Sequence, residues 1–306
     1  MSMVENLLPE LKAFDATARF GGMSAAARAL GLRQPTISAH IARLEKHYGV
    51  ELFHRRGRQV QLTDFGRNLR EITNRIFRAE EDARCLLLAA QSQFQGRLSL
   101  CAVGPYNVVP MISRFREDNP YVEVSVSMGD SSDVVERILD FRGDLGVLVH
   151  RVDDPRIHCV PFRKQPLLVF AHRAHPLAHL ASVGLRDLAT QSFVVRESGS
   201  TTQKVFNSFL QGVGIKIKSS VEIGSREAVR EAVAAGLGLG IVSETAYVED
   251  PRLVRLKIEE PLPSTYSHVI CLKERSAVPL VARFLEVVLA MRQQGEGKPG
   301  SAKETD

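Results

Sequence analysis

The stretch Ser24-Ala-Ala-Ala-Arg-Ala-Leu-Gly-Leu-Arg-Gln-Pro-Thr-Ile-Ser-Ala-His-Ile-Ala-Arg-Leu-Glu-Lys46, followed by Leu52-Phe53-His54-Arg55-Arg56-Gly57-Arg58, decides how the N-terminal part of this chain folds. Ser24 is placed to cap an alanine-rich helix whose Ala27 and Leu30 face inward, and Gly31 has the backbone freedom for a tight turn. Pro35 suits the first turn of a second helix, where its missing N–H would have had no intrahelical partner. Ile37, Ile41 and Leu44 recur at helical spacing and anchor one face, which leaves Gln34, Thr36, Ser38, His40 and Arg43 pointing outward. That outward set has the chemistry of a major-groove reader. Glutamine pairs bidentately with adenine, hydroxyls serve either base, and apolar atoms of Thr36 or Pro35 pack on a thymine methyl. Phosphate anchoring is also supplied, because Arg28, Arg33, Arg43, Lys46, Arg55, Arg56 and Arg58 stand against only Glu45 and Glu51 in this segment. The reading is a helix-turn-helix with a basic wing. The residues expected on double-stranded promoter DNA are Arg33, Gln34, Pro35, Thr36, Ser38, His40 and Arg43, with Arg55, Arg56 and Arg58 on the wing.

The 306 residues favour two domains, and a composition 44% hydrophobic is ample for buried cores. A net charge of +5 fits a nucleic-acid partner without demanding one. No apolar run reaches the length of a membrane span, and Met1 to Leu8 lack a basic segment followed by an apolar signal core, so a cytoplasmic location and no membrane partner are expected. Cys85, Cys101, Cys159 and Cys271 lie far apart with no C-x-x-C pair, which argues against a zinc site. Neither a metal nor a cofactor is expected. The thiols read as buried and reduced; a redox switch stays open, since Cys101 and Cys271 could occupy neighbouring strands.

Around the helix-turn-helix, Leu7, Leu8, Leu11, Phe14 and Ala18 mark a first helix ending at Gly21-Gly22. After the wing, Thr63 or Asp64 caps a long helix in which Phe65, Leu69, Ile72, Ile76, Ala79, Ala83, Leu86 and Ala90 form a heptad seam. That seam suits either a dimer-forming coiled helix or a helix packed on its own chain; two reading heads are what an operator with two half-sites requires. From Arg97 the pattern alternates strands and helices. Strands are expected at 98–103, 122–128, 145–149, 167–171, 193–196, 220–223 and 266–272, and helices at 108–119, 133–141, 201–211, 225–235 and 279–292. Asp133 and Glu136 are spaced as a capping pair. Such alternation implies a parallel sheet, and the Gly- and charge-rich end reads as a disordered tail. The boundaries expected are 1–64 for the reading head, 65–94 for the linker helix, 95–292 for the α/β domain and 293–306 for the tail.

At this point the chain resembles the LysR-type transcriptional regulators over residues 7 to 292. The residues that carry the resemblance are Ala25-Ala26-Ala27-Arg28-Ala29-Leu30, Gln34-Pro35-Thr36-Ile37-Ser38, Ile41 with Leu44-Glu45, and Gly49-Val50-Glu51-Leu52-Phe53 leading through Arg55 to Leu62-Thr63-x-x-Gly66. Phe65 stands where an alanine is usual. Ala39 stands where many members place a longer polar side chain, for which Arg33 or His40 would compensate. The resemblance implies a winged helix-turn-helix, a linker helix, and a two-lobed α/β effector domain like a type II periplasmic binding protein, with lobes at 97–163 with 267–292 and at 164–266. It implies a homodimer or homotetramer on a partly palindromic operator, a small-molecule co-inducer, and gene activation that engages RNA polymerase.

Ligands in open α/β lobes collect where strands end and helix N-termini present free N–H groups. Four loops hold such places, and they supply the candidate effector-binding residues Tyr106, Asn107, Asp130, Ser131, Ser198, Ser200, Thr201, Thr202, Ser225 and Arg226. Arg226 suits an anion, Asp130 and Tyr106 could hold an ammonium, and these loops are equally well read as ordinary capping turns. The run Gly224 to Gly240, with Val103-Gly-Pro-Tyr106, resembles the branch associated with aminoethylphosphonate catabolism. It implies an aminophosphonate co-inducer held by charge-assisted hydrogen bonds from Ser200, Thr201 and Thr202. Alternatives are a carboxylate effector of another pathway and a cysteine redox sensor. An enzyme is not expected, since no G-x-S-x-G elbow, H-E-x-x-H helix or Walker loop occurs, and Gly236-Leu-Gly-Leu-Gly240 follows a helix rather than a strand.

Overall fold

The computed structural model describes residues 7–54, 60–90 and 94–296. The chain divides into two compact units, one built from the N-terminal helices, with Asp140–Arg142 grouped with it, and one from the remaining residues.

The first unit opens with α1 (Leu8–Phe20), α2 (Met23–Leu30) and α3 (Gln34–Tyr48). Short strands β1 (Phe53–His54) and β2 (Gln61–Leu62) pair antiparallel, and α4 (Asp64–Ala90) follows. Gly31 adopts φ 66 and ends α2, so the turn into α3 uses the left-handed backbone that its missing side chain allows. The apolar stripe of α3, Ile37, Ile41 and Leu44, is buried against Leu11, Phe14, Ala26, Ala27 and Leu52. Phe14 and Phe53 pack with ring centroids 5.4 Å apart. Ser24 is not the cap of α2: the helix begins one residue earlier, behind Gly22 and without a side-chain cap. Thr63 does cap α4, its Oγ1 accepting from Gly66 N at 3.0 Å while donating to Glu51 O at 2.6 Å.

The heptad seam of α4 splits into two roles. Leu69 and Ile76, with Phe77, pack on the three-helix core. Phe65, Ile72 and Leu86, spaced by whole heptads, stay 50%, 54% and 61% exposed. The wing turn, with Arg55, Arg56 and Arg58, lies outside the described residues; only the strands that flank it are placed.

The second unit runs β3 (Gly96–Ala102), α5 (Pro105–Asp118), β4 (Val122–Met128), α6 (Ser131–Leu139), β5 (Leu145–Leu148) and β6 (Ile157–His172). It continues through α7 (Leu185–Leu188), β7 (Ser192–Arg196), α8 (Thr201–Gly212), β8 (Lys218–Ile223), α9 (Arg226–Ala234) and β9 (Gly240–Ser243). Strands β10 (Leu253–Arg255) and β11 (Ser264–Leu272) and helix α10 (Pro279–Glu296) complete it. The sheet order is β10-β6-β11-β5-β3-β4, with β9 also on β6 and with β7-β8 as a separate parallel pair.

The sheet is mixed rather than parallel. β3 runs parallel to β4 and β5, and β7 to β8, but β6 and β11 pair antiparallel with each other and with their other neighbours. β6 is 16 residues long, where the sequence pattern reads only its last part. Pro161 and Pro166, with Arg163 and Lys164 between them, break the apolar signal. The register slips between Ser267 and His268, opposite Arg163 and Pro161, a bulge that accommodates a residue without an N–H. α5 and α6 each begin earlier than expected, and Asp130 rather than Asp133 caps α6 by accepting from Ser132 N at 2.8 Å and Asp133 N at 2.9 Å. Gln293 to Glu296 continue α10 instead of starting a disordered tail, and residues 297–306 lie outside those described.

Ile37 is wholly buried in the small core of the first unit. Ile37→Ala is expected to cost that unit about 2–5 kcal/mol, read as a lower denaturant midpoint of the first unfolding transition of the full chain.

Candidate functional site

On α3, the face opposite Ile37, Ile41 and Leu44 presents Arg33, Gln34, Pro35 and Thr36 to solvent, with Ser38 half-buried beside them. Gln34 Nε2 donates to Ser38 Oγ at 2.9 Å. His40 and Arg43 do not stand free for DNA. Arg43 Nη1 donates to Glu10 Oε1 at 2.9 Å, and His40 Nδ1 lies 3.5 Å from the same oxygen. Glu10 is a buried carboxylate on α1, so Arg43 answers its charge and ties α3 to α1 while its side chain still reaches solvent, and His40 packs beside the same carboxylate.

In the second unit, α5, α6, α8 and α9 each follow a strand, and their N-termini border one cleft with an empty volume of about 1070 Å³. Most candidate polar groups in it already serve the fold. Ser200 Oγ caps α8 by accepting from Gln203 N at 3.4 Å, and Ser225 Oγ caps α9 by accepting from Ala228 N at 3.3 Å while donating to Glu227 Oε2 at 3.0 Å. Asp130 is spent on α6. Ser131 and Thr201 share a hydrogen bond of 3.2 Å that joins the starts of α6 and α8. Asn107 Oδ1 accepts from the buried Gln165 of β6 at 2.9 Å. Thr202 lines the cleft, whereas Ser198 is exposed and does not line it.

Arg226 is different. It opens α9, its guanidinium lies 5.6 Å from the centroid of the Tyr106 ring, and no carboxylate among the described residues stands within ion-pair distance of it. Burial, and after it the neighbouring Arg196, pulls its pKa below the usual arginine range. Arg196 spends its own charge on Glu197 through two bonds of 2.7 and 2.6 Å. A Cβ at Gly104 would sit 2.4 Å from Arg226 Nη1, so any side chain there would displace the guanidinium from its present place. Behind Arg226 the cleft adjoins a mostly apolar side chamber walled by Phe170, Val229, Val242, Ala246 and Tyr247. Phe170 and Tyr247 pack edge to face at 5.9 Å. Arg196, Gln203, Phe170 and Tyr247 were not among the expected site residues. Arg196 and Glu197 border a loop that the sequence singles out, but Tyr247 sits in a turn with no periodic signal.

The cysteines do not form the imagined pair. β5 lies between the strands of Cys101 and Cys271, and none of the four cysteines is in a disulfide. Cys159 sits opposite Ile270 and His158 opposite Cys271, which sends the side chains of Cys159 and Cys271 to opposite faces of the sheet.

Comparison with known proteins bears on both units. The family model for the bacterial regulatory helix-turn-helix protein, lysR family, matches residues 8–67, and that for the LysR substrate binding domain matches residues 91–293. The chain belongs to the LysR family. Among similar LysR regulators, the transcriptional activator CmpR of Synechocystis sp. is 31% identical over 238 residues, covering 77% of this chain and 78% of CmpR. Full-length CbnR complexed with its target DNA is 26% identical with a TM-score of 0.69, covering 92% of this chain and 98% of CbnR. The CcmR regulatory domain of Synechocystis PCC6803, in complex with 2-PG, is 25% identical with a TM-score of 0.60, covering 65% of this chain and 98% of that domain. This LysR-family chain is therefore a transcriptional regulator with an effector-binding domain, and its relatives are regulators rather than enzymes. Among the described residues, no helix is long and apolar enough to cross a membrane.

Burial pushes the Cys271 thiol up to about 11. A thiol is neutral below its pKa, so at pH 8 Cys271 stays protonated; native protein treated with iodoacetamide is expected to leave it unlabelled, and labelling should follow only on unfolding.

Proposed function

We propose that this LysR-family regulator is a metabolite-responsive activator whose co-inducer is a compact anion, with 2-aminoethylphosphonate or a related phosphonate as the first candidate. The observation that carries the anion is Arg226, a partly buried guanidinium with no carboxylate at ion-pair distance, set where four helix N-termini converge. A phosphonate has oxygens for Arg226, for the Thr201 and Thr202 hydroxyls and for the free N–H groups of the helix starts. The acids on the same rim that an amine could meet are Glu227, Asp130 through the oxygen not used in capping α6, and Glu197, which is paired with Arg196. A carboxylate of another pathway would use the same guanidinium and is the second reading. The complex of the related CcmR domain with 2-PG supports a small ligand in this class of domain.

Two lobes that close on the anion change their mutual angle, and the ligand moves the equilibrium only by binding the two arrangements unequally, about tenfold for each ~1.4 kcal/mol of preference. The exposed stripe Phe65, Ile72 and Leu86 on α4 supports a homodimer through paired linker helices, with a tetramer as a further step. Two reading heads then meet two half-sites, and activation proceeds through RNA polymerase at the neighbouring promoter, in the cytoplasm. The domain limits taken from sequence, 1–64, 65–94 and 95–292, are retained as working boundaries.

Calorimetry on the full chain tests the ligand: 2-aminoethylphosphonate is expected to bind, and Arg226→Gln to weaken it at least tenfold, about the worth of one charge-assisted contact. Binding of a dicarboxylate alone would overturn the phosphonate and keep the anion. On DNA, Arg33→Ala is expected to weaken all duplexes alike and to lower the slope of log affinity against log salt by about 1, whereas Gln34→Ala blurs base preference. Gel-shift titrations across salt concentrations separate the two.

A further inference from the structure

The hydrogen bond from Gln34 to Ser38 does not end there. Ser38 Oγ donates onward to the thioether sulfur of Met23, on the preceding helix, at 3.1 Å. Met23 is a partly buried residue at the start of α2, packed against the core of the first unit, and it carries no group that could contact DNA specifically.

We infer that Met23 is a positioning residue for base readout: as the acceptor-only end of a Met23, Ser38, Gln34 relay, it fixes which end of the Gln34 amide faces the DNA. A thioether sulfur has lone pairs and no proton, so it can only accept. A serine hydroxyl has one proton, and once that proton is spent on Met23 the hydroxyl can only accept from Gln34. Gln34 must then turn its NH2 toward Ser38 at 2.9 Å, which leaves Oε1 and one N–H directed outward. That pair matches the N6–H and N7 edge of adenine.

The two ends of an amide are nearly equal in shape, so hydrogen bonding alone decides the flip. Without the sulfur, the Ser38 proton is free to go to Gln34 Oε1. The NH2 group then faces outward, and it suits the acceptors of guanine or the O4 of thymine instead. The inference rests on the DNA-reading role of α3 and is independent of the effector.

Selection from randomised duplexes by the purified full chain tests it. The protein is expected to enrich adenine at one position of each half-site. Met23→Leu, close in volume, should reduce adenine preference over guanine and thymine at that position about fivefold, the worth of one ordinary hydrogen bond. Preferences at the other positions and the salt slope should stay as they were. Norleucine incorporated in place of every methionine removes the sulfur with less change of shape, and it should give the same local loss even if leucine disturbs the fold. In a cycle with Ser38→Ala, the double variant should lose no more adenine preference than Ser38→Ala alone. An unchanged base profile in both the leucine and norleucine proteins would overturn the relay. So would an equal loss at all positions accompanied by a lower melting temperature, which marks packing alone. Absence of any base preference in the unsubstituted protein would instead defeat the reading role of α3 itself.

Discussion

Every helix leaves its first N–H groups without intrahelical partners, and in the second unit four helices direct those groups into one cleft. Much of the chemistry there is an answer to that constraint. Asp130, Ser200 and Ser225 cap their helices, and the Ser131–Thr201 pair ties two of the helix starts together. Capping satisfies individual donors without removing the aligned peptide dipoles, and the carboxylates of Asp130, Glu197 and Glu227 line the same cleft. Arg226 adds a full charge to that field, and Gly104 leaves it the space to lie over Tyr106. The cleft thus brings both signs of charge together, Arg196 and Arg226 with Asp130, Glu197 and Glu227, and of these Arg226 alone lies over an aromatic ring.

The reading head was legible from sequence because its logic is local. Ile37, Ile41 and Leu44 repeat with the helical period, and Gly31 and Pro35 mark boundaries through their own backbone chemistry. The linker helix was legible for the same reason, although the seam alone did not show that Leu69 and Ile76 pack inward while Phe65, Ile72 and Leu86 do not. β6 was only partly legible, since two prolines break its pattern and only its tertiary neighbours make the extended conformation favourable.

Site residues were harder to read than elements. A polar residue ahead of a helix looks the same in sequence whether it caps the helix or binds a ligand, so Asp130, Ser200 and Ser225 had to be seen bonded to backbone before their first duty was plain. His40 and Arg43 carry outward spacing on α3, yet a carboxylate on another helix claims them. No periodicity could reveal Glu10, because its partners lie some thirty residues away in the chain. Arg226 was recoverable because an arginine at a helix start, where the dipole opposes it, has little local reason to be there.

The pairing of β6 with β11 extends from Ser264 opposite Pro166 to Leu272 opposite Ile157, interrupted by the bulge between Ser267 and His268. Two strands bonded on either side of a bulge cannot slide past one another without breaking those bonds, while the bulge itself bends and twists the ribbon locally. The two ends of this ribbon are therefore held in register with each other, and bending between them is concentrated at the bulge.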